Sequence, residues 1–342
     1  LSKRTDDIAL YTGNDDNIVI ESTIYGNGSV VLFVYDENIK PSAEKQNKIL
    51  KPLEFSGDWQ IKSDDNALTL DYCDVYFDGK LAHENLPVSD VQEKALAFGR
   101  KVNTKVVFKF AVKDLSFANC DLVVETPEIF DITINGQTIE KNVNGFYFDT
   151  SFKVIDVFKY ITEGENEIAL TCDFVQSEAV YENAKNSLVF ESEKNKLSYD
   201  MEIEAIYLKG DFAVKTNCEF ENLERNAIRT NGEFYLTKAP ETLTSGDVVT
   251  QGFPFFAGSM TFKKTVNLTA EEAEKASLAF SRLCSNVTSV KVNGKDAGNV
   301  LWHPYTLDLS SVAQQGENVF EITVKGNLRN MLGPFHLAVG EC

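Results

Sequence analysis

Histidine is scarce in this 342-residue chain, with three in all at His83, His303 and His336. No HExxH or comparable spacing connects them to other ligands. No two of the six cysteines lie closer than 46 residues, so no CxxC or Cys/His cluster supports zinc. Long apolar runs are missing too: the longest, Val30 to Tyr35, falls far short of the roughly 18 residues a spanning helix needs. No basic region followed by an apolar stretch opens the chain, so no signal peptide is expected. The first residue is Leu1, and a piece of a longer polypeptide is expected. Positive charge is in deficit, with 33 Lys and Arg against 52 Asp and Glu and a net charge of −19. Proteins that bind nucleic acid cluster Lys and Arg against phosphates. No such stripe occurs here, which disfavours nucleic acid and anionic membrane as partners. An anionic polysaccharide would be repelled as well, so a sugar ligand is expected to be neutral. For most of the surplus acid, keeping the surface soluble is reason enough.

Other chemistry is equally thin. Gly26-Asn27-Gly28 lacks the strand–loop–helix context and the following Lys of a phosphate cradle, and reads as a hairpin turn. No GxSxG elbow is present. The cysteines, Cys73, Cys120, Cys172, Cys218, Cys284 and Cys342, are too sparse for an extracellular disulfide scaffold. We read them mostly as reduced thiols, which favours a cytoplasmic location while leaving secretion open.

What is present is β signal almost throughout. Alternation marks Asn17 to Glu21, Ser29 to Val34, Asp131 to Ile134, Ser289 to Val292 and Val319 to Val324. Five Asn-Gly pairs punctuate the runs, at Asn27, Asn135, Asn144, Asn231 and Asn293. Asn-Gly suits a type I′ turn, where both central residues need positive φ. Many short strands with such turns predict a sandwich or barrel. Helix signals are few: a capping box at Thr269 to Glu272, a second at Ser89 with Gln92, and a single turn over Asp156 to Ile161.

An internal repeat organises the chain. Gly57-Asp58-Trp59 matches Gly210-Asp211-Phe212, and Phe108 to Val112 matches Phe262 to Val266. Ile132 to Gly136 matches Val290 to Gly294, and Gly164-Glu165-Asn166 matches Gly316-Glu317-Asn318. The four offsets are 153, 154, 158 and 152 residues, in unbroken order. Small drifts belong in loops. The repeat predicts two tandem sandwiches, 50–205 and 206–342. They would be preceded by a partial β segment with a polar linker, 1–49, the tail of an earlier β domain.

In the second unit Gly252-Phe253-Pro254-Phe255-Phe256-Ala257-Gly258 is followed by Val292-Asn293-Gly294 and Trp302-His303-Pro304-Tyr305. Gly316-Glu317-Asn318 and Asn327 to His336 come after these. This order resembles the sugar-binding jelly-roll domain of glycoside hydrolase family 2. It resembles still more the galactose-binding-like sandwiches at the C-terminal side of α-L-rhamnosidase-type glycoside hydrolases. Ile203 to Phe212 is similar to the junction between paired sandwiches there. The resemblance covers roughly residues 50–342. It implies an all-β fold of tandem jelly-roll sandwiches, with the chemistry on a separate catalytic domain of the parent polypeptide, commonly a (β/α)₈ barrel. No βαβ alternation that would build a barrel occurs in this chain. Accessory jelly rolls of this kind often carry a structural calcium, but no residue set here fixes its ligands, and no other cofactor is expected.

A glycosidase needs two carboxyl groups across the scissile bond. Pairs such as Asp6-Asp7, Asp64-Asp65 and Glu271-Glu272 sit in polar stretches and read as solvated surface. We assign no catalytic residue and no metal ligand. His303 and His336 read as packing groups or as partners of a loop carbonyl. The best ligand candidates are aromatic: Phe253, Phe255, Phe256, Trp302, His303 and Tyr305, with Arg282, Arg329 and Asn330 as polar contacts. An aromatic plate covers the C–H face of a sugar while polar side chains bond its hydroxyl rim. The competing reading fills sandwich cores with the same aromatics, as expected for Trp59.

Three functions follow. The first is a non-catalytic, carbohydrate-associated accessory region of a larger glycoside hydrolase, packed on its catalytic domain and contacting a neutral glycan. The second is a free-standing carbohydrate-binding or adhesive module. The third is a glycosidase with its site where the sandwiches join.

Overall fold

The computed structural model describes residues 8–12, 18–22, 55, 57–189, 191–224 and 227–336. The fold is all-β, with mostly antiparallel pairing. The Val30 to Tyr35 run, the Asn27-Gly28 turn, Cys342 and most of the 1–49 segment lie outside those residues. Within that segment Ile8–Thr12 pairs antiparallel with Ile18–Ser22.

Two compact units form. One joins Asp58–Thr261 with Lys325–Cys342; the other joins Leu1–Gly57 with Phe262–Val324. This differs from the division the repeat predicts. The expected boundary at 205/206 is not one, because the strand Ile206–Gly210 is hydrogen-bonded on both sides, to Asn66–Leu70 and to Cys120–Glu125. After the corner at Asp211 the chain enters an eight-stranded sheet through Phe212–Thr216, paired with Phe234–Lys238. Asp211 holds that corner by accepting from the N–H groups of Ala118 and Asn119. Residues 206–261 therefore complete the first sandwich.

That larger unit is a sandwich of two sheets. In one, Val102–Val112 and Gly164–Phe174 pair over eleven positions and carry Asp131–Ile134 and Tyr72–Phe77 beside them. The other runs in the order Val143–Tyr147, Asp149–Asp156, Cys120–Glu125, Ile206–Gly210, Asn66–Leu70. Alternating residues of both, among them Phe108, Ile132, Ile168 and Leu170 against Leu68, Leu122, Ile155 and Leu208, share one buried cluster. Each such side chain contributes about 1.5–3 kcal/mol by leaving water. Trp59 is buried, as expected of a core residue.

The smaller unit orders Ser259–Leu268, Gly316–Lys325, Val287–Val292 and Lys295–Val300 side by side, with Ser277–Ala279 paired to Thr306–Asp308. Its buried residues include Leu278, Val290, Val292, Val300 and Phe320. Phe55 meets Phe320 edge to face at 5.1 Å.

The local signals fare unevenly. Asn135-Gly136 and Asn293-Gly294 both take positive φ, 51° and 75° against 54° and 74°, as the type I′ turn requires. Asn144-Gly145 instead sits inside the bulged strand Val143–Tyr147. The Thr269/Glu272 capping box forms on Ala270–Glu274. The second box does not: helix Val88–Leu96 starts after Pro87, and Gln92 turns away to accept from the Ile203 N–H. Asp156 precedes a single turn, Phe158–Tyr160, and accepts from the Phe158 N–H. Helix Glu178–Ser187 has no counterpart in the expectations. Among the described residues no helix is long and apolar enough to cross a membrane.

Candidate functional site

The strand Asn66–Leu70 belongs to one sheet of the larger unit and Tyr72–Phe77 to the other. Asp71 is the single residue between them, so it sits where the chain crosses the rim of the sandwich. All five residues of Asn66–Leu70 are buried, although a sheet strand with one free face would alternate. The cover is a strap formed by residues 327–336. Its 3₁₀ turn Leu328–Leu332 receives a hydrogen bond from Thr69 Oγ1 to the Met331 carbonyl at 2.5 Å. Further on, the Phe335 N–H donates to Ile228 and the Phe335 carbonyl accepts from the Thr230 N–H, both at 2.9 Å.

The strap ends on His336, whose side chain is 3% exposed. Its Nε2 lies 2.8 Å from Asp71 Oδ2, and its Nδ1 lies 2.6 Å from the Pro334 carbonyl. A carbonyl only accepts, so Nδ1 is the donor to Pro334, and Nε2 is the nitrogen that faces Asp71. The imidazole packs edge to face on Phe234 and Phe255, at 5.7 and 5.8 Å, and those two rings meet each other at 4.9 Å.

Strap, corner and the loop before Phe234 enclose a cleft of about 460 Å³. Its walls include Asp71, Tyr72, Asp74, Asn85, Lys109, Asn231, Glu233, Phe234 and His336. Asp74 receives the Lys109 ammonium at 2.6 Å and the Asn85 N–H at 2.9 Å. Burial pushes the Asp74 carboxyl up, but the Lys109 hydrogen bond, the Asn85 N–H and the Lys109 charge together outweigh it and hold Asp74 below the usual carboxylate range. The volume suits a small ligand. Two aromatic rings and a rim of amides and carboxylates are the means by which a protein holds a polyhydroxylated ring.

The residues singled out in the sequence disperse. Phe255 is 0% exposed and packs on Phe234 and His336, so it is core and offers no face to a ligand; Phe253 and Phe256 are buried likewise. Trp302, His303, Tyr305 and Arg282 belong to the smaller unit, whereas Arg329 and Asn330 belong to the strap of the larger. Trp302 is 61% exposed. His303 and Tyr305 stack at 3.8 Å, and Arg282 Nε donates to Cys284 Sγ at 3.3 Å. Arg329 lies over the Phe335 ring at 5.7 Å, and the Asn330 carbonyl caps the strap by accepting from the Gly333 N–H. Of the histidines, His336 takes the expected loop carbonyl and adds Asp71. Sequence reasoning missed Asp71, Asn85, Asn231 and Glu233; the Asn231-Gly232 pair, read only as a turn, was the signal within reach.

Among the described residues no group of three or more His, Cys, Asp or Glu is arranged to hold a metal ion. The cysteines differ in reactivity. Burial, then the Asp74 charge, pushes the Cys73 thiol up to about 12, and burial with Asp173 does the same for Cys172. Cys284 is exposed. Iodoacetamide near neutral pH is expected to label Cys284 in the folded protein and to reach Cys73 and Cys172 only after denaturation, as read by peptide mass spectrometry.

The fold and site define an all-β sandwich protein with a polar, aromatic-walled cleft at the sandwich rim. No protein-family model matches the chain, and no curated protein matches it. Among solved structures it is similar to a rhamnosidase from Novosphingobium sp. PP1Y, with 15% identity over 75% of this chain and 21% of that one, at a TM-score of 0.22. It is also similar to the Streptomyces avermitilis α-L-rhamnosidase, with 11% identity over 80% and 25%, TM-score 0.28. A third is the β-D-mannosidase of Dictyoglomus thermophilum, with 15% identity over 80% and 31%, TM-score 0.25. The chain thus spans under a third of the length of each of these proteins.

Proposed function

We propose that this chain is a non-catalytic, carbohydrate-associated part of a larger glycoside hydrolase, and that the rim cleft of its larger unit holds a glycan free of anionic groups. The observation that carries the reading is the cleft itself. Tyr72 and Phe234 supply rings for a C–H face, and Asn85, Asn231, Asp71 and Glu233 supply partners for hydroxyls. The net charge of −19 favours the approach of non-anionic sugars. A catalytic role is less well supported, because a general acid needs a raised pKa and Asp74 is held low. In the parent protein the chain would pack on a catalytic domain.

Calorimetry against a panel of neutral glycans and free amino sugars tests the binding. Asn231, exposed on the cleft wall, would give one or two hydrogen bonds to the sugar. Asn231→Ala is expected to weaken binding about threefold to tenfold, the worth of about 0.5–1.5 kcal/mol, with little change in stability. No heat with any glycan would remove the proposal. Turnover of nitrophenyl glycosides by the isolated chain would remove its non-catalytic part.

Exposed Trp302, next to the His303–Tyr305 stack, favours a second reading: a free-standing binding module with an aromatic platform in the smaller unit. Binding that survives Asn231→Ala but is lost in Trp302→Ala would select it.

A further inference from the structure

Charge inside the cleft narrows the ligand further. Three carboxylates line it, Asp71, Asp74 and Glu233, together with two basic side chains, Lys109 and His336. Two of the acids are spoken for: Asp74 is bound to Lys109 at 2.6 Å, and Asp71 to His336 at 2.8 Å. Both basic groups are consumed in those contacts. No ion pair of the described residues involves Glu233, which is exposed and lines the cleft along with Asn231 and Phe234. The cleft therefore offers a carboxylate outside those ion pairs, in a lining that also holds aromatic rings and amide groups, within a protein of net charge −19. A ligand of hydroxyls alone leaves that charge unmatched. A uronic acid meets repulsion. A sugar bearing a free amine places an ammonium against Glu233 in a charge-assisted hydrogen bond and keeps its ring over the aromatic wall.

We infer that the cleft selects amino sugars with an unacetylated amine, and that Glu233 is the residue that recognises the ammonium group. The inference rests on the proposal that the cleft holds a glycan, and adds the chemical class of that glycan. Acetylation removes the charge and enlarges the group, so the N-acetyl form loses the contact. Glu233 acts through charge, so salt weakens the preference as it screens the exposed pair.

The test is ligand-observed NMR titration of the whole chain just below neutral pH. Glucosamine, galactosamine and mannosamine are each compared with the N-acetyl form and the parent hexose, and ethanolamine serves as an amine without a ring. At least one free hexosamine is expected to bind about tenfold more tightly than its N-acetyl form at low salt. That advantage should shrink at high salt and disappear in Glu233→Gln. Glu233→Asp, which keeps the charge, should retain part of it. Equal binding of amine and N-acetyl forms overturns the inference while the glycan proposal stands. So does an amine preference that persists in Glu233→Gln, or ethanolamine binding as tightly as the sugar, since either assigns the effect to diffuse negative charge. No binding by any sugar overturns both the inference and the proposal beneath it.

Discussion

Asn166→Ala is expected to lower the unfolding free energy by about 3 kcal/mol or more, among the largest losses available to a single polar residue in this protein. Asn166 is 3% exposed, and its side chain is fully used. Its Oδ1 accepts from Asn135 Nδ2 at 2.8 Å and from the Thr162 N–H at 2.9 Å. Its Nδ2 donates to the carbonyls of Thr162 at 2.7 Å and Gly164 at 3.0 Å. Alanine leaves these partners without their bonds, and each buried group left unmade costs about 1–3 kcal/mol. The same arrangement recurs in the smaller unit. Asn318, 0% exposed, accepts from Asn293 and the Gln314 N–H and donates to the carbonyls of Gln314 and Gly316. Asn318→Ala should cost as much. Urea unfolding followed by far-UV circular dichroism reads both, since strands of each unit are lost on unfolding. Asn142→Ala on the surface serves as the control. A loss below about 1 kcal/mol in both buried variants would show that the network does not hold its strands.

The two asparagine networks also explain which parts of the sequence could be read. The matched blocks Ile132 to Gly136 and Val290 to Gly294, and Gly164 to Asn166 and Gly316 to Asn318, look alike because each must supply an Asn-Gly turn and the asparagine that buttresses it. Asn135 Oδ1 accepts from the Glu167 N–H at 3.0 Å, and Asn293 Oδ1 from the Val319 N–H at 2.9 Å. Local chemistry of this kind is visible in a string of residues, and so are strand alternation and the Thr269 capping box. The unit boundaries were not visible, because Ile206–Gly210 is held by strands more than 80 residues earlier. Matched blocks also differ in their surroundings. The strap was hidden for the same reason: Thr69 and Met331, or Asp71 and His336, are brought together only by the fold. The aromatics misled because composition does not separate a ring in the core from one on a surface. Phe255 and Trp302 stand in similarly aromatic stretches, yet one is fully buried and the other exposed.

Gly333→Ala is the second large effect expected, and it bears on function as well as stability. Gly333 has φ +71°, and a Cβ there would fall 2.2 Å from Cε1 and 2.7 Å from Cδ1 of Phe255. Phe255 is fully buried against Phe234 and His336 and has no room to withdraw. Overpacking of about 1–3 kcal/mol adds to about 1 kcal/mol for the left-handed backbone, so a loss of about 2–4 kcal/mol is expected. The strap can relieve the clash only by lifting from the sheet. Lifting breaks the Thr69–Met331 and Phe335–Ile228 hydrogen bonds and draws His336 away from Asp71. Glycan binding should then fall further than Asn231→Ala takes it, because His336, the strap's part of the cleft lining, is displaced. His336→Ala removes the Asp71 contact and the ring contacts with Phe234 and Phe255 but adds no clash at Gly333, so it should weaken binding and lower the melting temperature without forcing the strap off the sheet. Amide hydrogen exchange reads the strap directly. In Gly333→Ala the N–H groups of Thr230 and Phe335, which bond across the strap, should exchange at least tenfold faster than in the parent protein, the equivalent of about 1.4 kcal/mol of local opening. Unchanged exchange at those two amides, with binding intact, would mean that the strap is not the wall that shapes the cleft.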